Sequence, residues 1–228
     1  MSRPLVIAID GPAASGKSTL GYHLARHLDY LYLDTGALYR AVTLAALRRG
    51  IPIEDEARIT ALAESLPIEV LPADGREGRQ YTVLMEGEDV TGALRTPEVD
   101  HAVSPVSAYP GVRAALTQRM REIARRGGVV MVGRDIGTVV LPDADLKLYL
   151  IASLDARAQR RFLDRLAQGK DVSLEEVRAD LARRDAMDSS RKAAPLRPAD
   201  DAIIFDNTTL TIEEMFREAE RLVRDEDC

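Results

Sequence analysis

The sequence lacks several features that would assign it to a secreted, membrane-bound or nucleic-acid-binding class. Its single cysteine is the last residue, Cys228, so no disulfide can form within one chain, which fits a reducing compartment. No apolar run approaches the roughly 18 residues of a membrane span, and Leu5–Ile9 is too short for the core of a signal peptide. The formal net charge of -6 argues against a general nucleic-acid binder. These absences predict a cytoplasmic protein with no membrane or nucleic-acid partner.

Aromatic residues are also scarce. They make up 4% of the chain, with no tryptophan, so leucine, valine, isoleucine and alanine must form most of the core. The length of 228 residues is enough to bury such a core, and it predicts one domain or one domain with an insertion. The sequence shows no internal repeat and no further apolar face, so we expect a monomer.

Short apolar runs alternate with amphipathic segments along the chain. The predicted strands are Leu5–Asp10, Tyr30–Leu33, Val129–Val132, Leu146–Ile151 and Ala202–Phe205. The predicted helices are Lys17–Leu28, Ala37–Arg49, Val112–Arg126, Ala156–Gln168, Leu174–Met187 and a last helix after Thr211, with capping boxes at Ser173–Glu176 and Thr211–Glu214. Continuous apolar strands are typical of parallel sheets covered on both faces. The alternation predicts an α/β fold with a doubly wound parallel sheet of about five strands.

The stretch from Ile68 to Val90 departs from this alternation. Ile68–Val70 and Tyr81–Met85 resemble short strands, and the pairs Asp74-Gly75 and Glu77-Gly78 between them are typical of turns. We interpret this stretch as a small β-rich insertion packed on the α/β core.

The strongest motif lies between the first predicted strand and the first predicted helix. It consists of Gly11, Pro12, Ala13, Ala14, Ser15, Gly16, Lys17 and Ser18, which fit the pattern G-x-x-x-x-G-K-[ST], followed by Thr19. The glycines allow backbone N–H groups to converge on phosphate oxygens, and the helix adds the positive end of its dipole. Lys17 can reach the β- and γ-phosphates, and the Ser18 hydroxyl can bind Mg²⁺. The motif predicts a nucleoside triphosphate site.

A GTPase is the natural alternative for such a motif. GTPases usually read guanine with Asn-Lys-x-Asp, but the only asparagine of the chain, Asn207, is followed by Thr208. Asp89–Gly92 matches D-x-x-G, yet it lies in the predicted β-rich insertion, and we treat the match as chance. The sequence therefore argues against a GTPase.

Two arginines suggest a second phosphate site. Arg134 follows the predicted strand Val129–Val132 in a glycine-flanked loop, and Arg40 follows Asp34–Tyr39. Ligands of open α/β sheets bind at the carboxyl ends of strands, and arginine contacts phosphate in a bidentate manner. A surface position or a structural ion pair is the alternative for each. At Arg134 the context favours a functional role.

The sequence resembles the bacterial cytidylate kinases of the nucleoside monophosphate kinase group. The segments that carry the resemblance are Ile9–Thr19, Leu33–Arg40, Gly87–Val99, Val103–Arg113, Gly133–Val140 with Pro142–Ala144, and Arg183–Leu196. They run through nearly the whole chain, and several are not shared by P-loop proteins in general. The resemblance implies transfer of the γ-phosphoryl group of ATP, with Mg²⁺, to CMP or dCMP. It also accounts for the β-rich insertion.

The resemblance further implies a role for each acceptor-site residue. Ser104, Arg113 and Asp135 would read the cytosine edge, with Thr35 near the base. Arg40, Arg134 and Arg191 would hold the acceptor phosphate, and Arg184 and Asp188 the sugar.

Three further arginines lie where this family carries its lid. Arg160 is the residue we expect to close onto the transferring phosphoryl group as a catalytic partner of Lys17, and Arg157 and Arg161 are expected at the ATP side. A solvated helix face is the alternative for all three. The implied regions are a core of about 1–36, 99–152 and 189–228, a monophosphate-binding region of about 37–98, and a lid of about 153–188.

One residue departs from the family pattern. Val132 stands where members often have an acid that could organise Mg²⁺ through water, which leaves Asp10 and Asp34 as alternative outer-shell partners. Two other readings also remain: a related kinase acting on UMP, AMP or a non-nucleotide alcohol, and a nucleotide-binding protein without transfer activity.

Overall fold

The computed structural model describes residues 4–73, 79–167, 169–191 and 194–226. Four sequence features lie outside these residues: the two turns at Asp74-Gly75 and Glu77-Gly78, Gln168 at the end of a predicted helix, and Cys228. Among the residues described, no helix is long and apolar enough to cross a membrane.

A five-stranded parallel sheet forms the centre of the molecule, as the sequence predicts. Its strands are β1 (Val6–Asp10), β2 (Leu31–Asp34), β6 (Val129–Val132), β7 (Leu146–Ile151) and β8 (Ile203–Asp206). Their order in the sheet is β2-β6-β1-β7-β8, and every neighbouring pair is parallel. The central strand β1 is fully buried at Ile7 and Ile9 because helices cover both faces.

A second, antiparallel sheet confirms the β-rich insertion. Its strands are β3 (Ile68–Pro72), β4 (Tyr81–Met85) and β5 (Glu88–Asp89), paired in that order. The ring of Tyr81 lies 5.9 Å from that of Tyr32 in β2, so the insertion packs beside the edge of the main sheet. Asp89 accepts hydrogen bonds from the backbone and the hydroxyl of Thr91, at 3.0 and 2.7 Å, so this part of the D-x-x-G match forms a local turn.

The helices are α1 (Lys17–Leu28), α2 (Gly36–Arg48), α3 (Glu56–Ser65), α4 (Pro97–Val106), α5 (Pro110–Ala124), α6 (Leu154–Ala167), α7 (Leu174–Ser190) and α8 (Ile212–Glu226). A 3₁₀ turn at Ala93–Arg95 and a π-type turn at Ile136–Val140 complete the elements. Both predicted capping boxes are confirmed. Ser173 and Glu176 exchange hydrogen bonds at the start of α7, and Thr211 and Glu214 do so before α8.

Helices α3 and α4 are absent from the sequence prediction. Asp55 caps the start of helix α3, since its side chain accepts from Arg58 N at 3.1 Å, and α4 has Pro97 in its first turn. Helix α4 also contains Pro105, a residue that usually interrupts a helix, so its sequence does not read as helical. These two helices matter for function because α4 packs on α2 and forms one wall of the cleft described next.

Candidate active site

A cleft of about 260 Å³ lies at the carboxyl ends of β1, β2 and β6. Three loops meet there because the sheet order places β6 between β2 and β1. The loop Gly11–Gly16 follows β1, Thr35 follows β2, and Gly133-Arg134-Asp135 follows β6. Parallel strands direct all three loops to the same edge of the sheet, which is where such folds bind ligands.

The glycine-rich loop has a backbone shape that its glycines permit. Gly11 has φ of 147°, and a Cβ atom there would lie 2.2 Å from Leu150 O. Gly16 has φ of 92° and begins α1, and its missing Cβ leaves room for the Asn207 amide nitrogen. The loop therefore has the shape in which successive N–H groups surround an anion at a helix N-terminus.

Lys17 lies over this loop. Its Nζ donates to Pro12 O at 2.7 Å, and the residue is 6% exposed. Burial lowers the pKa of Lys17 well below its ordinary value, and the neighbouring Arg134 cation is the second cause of this shift. Both effects disfavour the ammonium ion, so an anion such as phosphate would stabilise the charged form in this position.

The structure brings all nine predicted acceptor residues into the wall of this one cleft: Thr35, Arg40, Ser104, Arg113, Arg134, Asp135, Arg184, Asp188 and Arg191. From the donor side, Ala13, Ala14, Lys17, Ser18 and Arg161 also line it. The other predicted donor-site residues of this segment belong to the loop or to the first turn of α1 without lining the cleft: Gly11, Pro12, Ser15, Gly16 and Thr19. Residues far apart in the sequence therefore share one cavity.

Arg113 and Asp135 form a buried ion pair in the wall of the cleft. Arg113 Nη2 donates to Asp135 Oδ2, and Arg113 Nη1 donates to Ser107 O at 3.1 Å. The side chains are only 10% and 8% exposed. The guanidinium carbon also lies 5.6 Å from the centre of the Tyr39 ring. A guanidinium and a carboxylate held together in this way present both donors and an acceptor to a ligand.

Arginines also surround Asp188, which lines the same cleft. Its Oδ2 accepts from Arg134 Nε at 3.0 Å, and its Oδ1 lies 2.6 Å from Arg191 Nη2. Arg40 donates to Leu94 O at 2.9 Å and to Asp100 at 2.6 Å. Acidic partners thus orient three guanidinium groups towards one space, which forms a cationic cradle opposite the glycine-rich loop.

The three predicted lid arginines differ in position. Arg157 is buried; it donates to Ala13 O at 3.2 Å and pairs with Asp185 at 2.7 Å, so it connects α6 to the glycine-rich loop. Arg160 points away from the cleft and donates to the Asn207 side chain and carbonyl, at 3.0 and 2.7 Å. Arg161 lines the cleft. The expected role of Arg160 at a transferring group stays a prediction, and it requires this side chain to leave Asn207.

Three residues of the site were missed in the sequence. Arg95 lines the cleft from the 3₁₀ turn, with Nη2 3.9 Å from Asp34 and 3.4 Å from the Tyr81 hydroxyl. Tyr39 also lines it. Asn207 is 1% exposed, and its amide donates to Ser15 O at 2.7 Å, so it fixes the glycine-rich loop. Arg95 lies in Gly87–Val99, one of the segments that carry the family resemblance, and this position is the signal that could have revealed it.

The arrangement joins two anion-binding cradles across a short space. One is a backbone loop with Lys17, and the other is the arginine cradle, which shares the cleft with the buried pair of Arg113 and Asp135. In the described part of the chain, no group of three or more His, Cys, Asp or Glu side chains could hold a metal ion by itself. The chemistry that fits is transfer of a phosphoryl group between two phosphorylated ligands, which needs positioning and charge neutralisation.

The sequence comparisons with known proteins indicate the same family. The sequence pattern of the family described as cytidylate kinase matches residues 7–225. Proteins named cytidylate kinase are similar over nearly the whole chain. The one from Bacillus licheniformis is 47% identical over 94% of both chains, that from Chloroflexus aggregans is 53% identical over 92% of this chain and 90% of its own, and that from Ligilactobacillus salivarius is 46% identical over 99% of both.

A solved structure that is similar to this chain is more distant. Shikimate kinase from Acinetobacter baumannii, in complex with shikimate, is 18% identical over 97% of this chain and 92% of its own, with a TM-score of 0.43. That value is too low for the two folds to be equated, so the sequence relatives carry the assignment.

Proposed function

This chain belongs to the cytidylate kinase family, and we propose that it transfers the γ-phosphoryl group of ATP to CMP or dCMP, giving ADP and CDP or dCDP. The observation that carries the proposal is the convergence, in one cleft, of a P-loop, an arginine cradle and a buried Arg–Asp pair of the kind that can read a base. The enzyme is a nucleoside monophosphate kinase.

The P-loop holds the triphosphate of ATP. Backbone N–H groups of Gly11–Gly16 surround the β-phosphate, and Lys17 exchanges its contact with Pro12 O for phosphate oxygens. The anion supplies the compensation that the buried ammonium ion needs, so Lys17 contributes more as charge develops during transfer. Arg157 keeps the loop attached to α6, and Arg161 extends from α6 towards the phosphates.

The residues present fit Mg²⁺ that arrives with the nucleotide. Magnesium in such sites takes one or two protein ligands, with phosphate and water completing its shell, so a large carboxylate cluster is not required. Ser18 lines the cleft at the start of α1 and would bind the ion. Asp34 also lines it and would serve as an outer-shell partner, whereas both oxygens of Asp10 accept backbone N–H groups. Bound Mg²⁺ would supply neutralisation of the phosphate charge.

The opposite half of the cleft binds the monophosphate. Arg40, Arg134 and Arg191 hold its phosphate, while Asp188 and Arg184 contact the sugar. Asp135 accepts a hydrogen bond from the exocyclic amine of cytosine. Arg113 and Ser104 donate to the carbonyl and the ring nitrogen of cytosine, and Thr35 lies close to the base. Uracil has a carbonyl in place of the amine. Its carbonyl oxygen would face the Asp135 carboxylate, and two acceptors cannot form a hydrogen bond with each other. This mismatch is the physical basis for selecting cytosine.

The attacking group is a phosphate oxygen of CMP, which is already anionic at neutral pH, so no general base is needed. Catalysis consists of alignment and of cations around the transferring group. Water must be excluded because it would attack the same phosphorus, and we propose that the lid of residues 153–188 closes over the region 37–98 for this purpose. Closure would release Arg160 from Asn207. We keep the monomer and the cytoplasmic location as expectations.

The direct test is ADP formation from Mg·ATP with CMP, dCMP, UMP, AMP, GMP or no acceptor. We expect rapid turnover with CMP and dCMP, slow turnover with UMP, and almost none without acceptor. A dominant rate with another monophosphate would refute the roles of Ser104, Arg113 and Asp135. A rate that does not depend on any acceptor would refute the kinase proposal. Arg49→Gln is a matched control, since Arg49 pairs with Glu86 on the surface at 2.8 Å.

A further inference from the structure

Asp10 is a buried carboxylate between two phosphate-binding loops. It is the last residue of β1, it directly precedes Gly11, and it is 5% exposed. Burial raises the pKa of Asp10 to about 6, although hydrogen bonds from Gly137 and Ile136 oppose that rise. A negative charge in this position also repels phosphate. Both effects are costs, so a contribution of Asp10 to activity must come from something other than direct attraction.

Both oxygens of Asp10 contact the acceptor loop. Oδ1 accepts from Ile136 N at 2.8 Å, and Oδ2 accepts from Gly137 N at 2.7 Å. These two amides begin the π-type turn that follows Asp135. They are separated from Asp10 by more than a hundred residues of sequence, so the contact is purely a product of the fold.

The same loop is also attached to β1 at its other end. Gly133 N donates to Ile9 O at 2.9 Å, as an extension of the pairing between β1 and β6. Arg134 and Asp135 therefore form a two-residue span whose ends are both held by neighbouring residues of one strand. That strand continues directly into the P-loop at Gly11.

We propose that Asp10 is a positioning residue that holds Arg134 and Asp135 in a fixed place relative to the P-loop, and thereby sets both acceptor-phosphate binding and cytosine selection. The inference rests on the proposed function of this cleft. Asp10 itself does not touch the reacting phosphates; it acts through the backbone of the loop.

Asparagine tests this role because it has nearly the same shape but one acceptor group instead of two. In Asp10→Asn, the side-chain NH₂ must face either Ile136 N–H or Gly137 N–H, so one donor loses its acceptor. The substitution also removes the negative charge. A purely electrostatic role would therefore make CMP bind more tightly, whereas a positioning role makes it bind more weakly, and the two signs are opposite.

Asp145→Asn is the matched control. Asp145 Oδ2 accepts from Val6 N at 2.7 Å, so it makes the same kind of contact to the same strand, but at the end remote from the cleft. Both variants are compared with the wild type by calorimetric binding of CMP, UMP and Mg·ATP, and by initial rates with CMP and UMP.

We expect Asp10→Asn to raise the KM for CMP at least tenfold and to reduce the preference for CMP over UMP at least tenfold. The Kd for Mg·ATP should change less than threefold, and Asp145→Asn should leave all of these constants unchanged. Amide hydrogen exchange at Ile136 and Gly137 should become faster in Asp10→Asn, which reports on the attachment without any activity. If this variant folds poorly, Asp10→Glu keeps the charge and both oxygens but displaces them by one methylene. A positioning role then predicts weaker CMP binding, whereas a purely electrostatic role predicts little change.

Two results separate this inference from the proposed function. A wild type that prefers CMP, together with an Asp10→Asn variant that keeps the preference or binds CMP more tightly, would overturn the role of Asp10 alone. A wild type without preference for CMP would overturn the proposed function and this inference with it.

Discussion

Substitutions in the buried pair of Arg113 and Asp135 can distinguish its contribution to the stability of the fold from its contribution to the preference for CMP over UMP. Replacing Arg113 by methionine would leave the Asp135 carboxylate without its cation in a position where the two side chains are 8–10% exposed. It would also leave Ser107 O without its donor. Methionine keeps a long apolar stem, so the change chiefly removes charge and hydrogen bonds.

The expected loss of stability follows from the burial of the pair. Removing one partner of a buried ion pair costs about 3–5 kcal/mol, because the remaining charge is desolvated and uncompensated. In a chain of this size, each kcal/mol lowers the melting temperature by about 2–4 °C. Arg113→Met should therefore melt about 6–20 °C below the wild type.

Removing the Asp135 charge as well should restore stability but not the preference for CMP. In the double variant Arg113→Met with Asp135→Asn, neither residue of the pair is charged, and at least half of the lost stability should return. Asparagine can accept from the cytosine amine, but its own NH₂ can equally donate to the uracil carbonyl. The preference for CMP over UMP should consequently stay low in the double variant.

Thermal and urea unfolding measure the first effect, and initial rates with CMP and UMP measure the second. Arg119→Met is the control, since Arg119 lies on the same helix and donates to Leu66 O at 2.8 Å outside the cleft. It should keep the CMP preference. The reasoning fails if Arg113→Met melts within 2 °C of the wild type, or if the double variant regains the CMP preference.

Two further predictions concern Asp10 and Arg95. Because burial raises the folded-state pKa of Asp10 from 3.8 to about 6, its contribution to stability falls as pH rises from about 4 to about 6. Carboxyl ¹³C titration should show a midpoint near 6, and a midpoint near 4 would contradict it. Arg95→Gln should lower kcat/KM for CMP about tenfold because Arg95 lines the cleft; an unchanged rate at subsaturating CMP would exclude it from binding.

The sequence predicts best what is local. The P-loop is a continuous motif whose strand and helix follow directly in the chain, so both its position and its chemistry were predictable. The five strands were predictable because their apolar runs are continuous. Helix α4 was not, because Pro105 lies inside it and suggests a break, and packing on α2 helps to stabilise the helical form.

The site as a whole required the fold. Arg95 reaches the cleft only because the small sheet packs beside β2 and places the following turn over Asp34. Asn207 supports the P-loop from 192 residues away along the chain. Arg160 also donates to Asn207, which holds it in its observed position. Neither the contact of Asn207 with the P-loop nor the position of Arg160 could be deduced from spacing in the sequence.

In the proposed site, the ion pairs around Asp188 connect binding of the sugar to binding of the phosphate. A carboxylate has about four acceptor positions, so Asp188 can hold Arg134 and Arg191 and still accept from a sugar hydroxyl. The two guanidinium groups are then oriented before the phosphate arrives, and little reorganisation is needed when it binds. Loss of the Asp188 carboxylate would release both arginines, so it should weaken phosphate binding as well as sugar binding. The acidic residue thus serves anion binding indirectly, by fixing the cations that perform it.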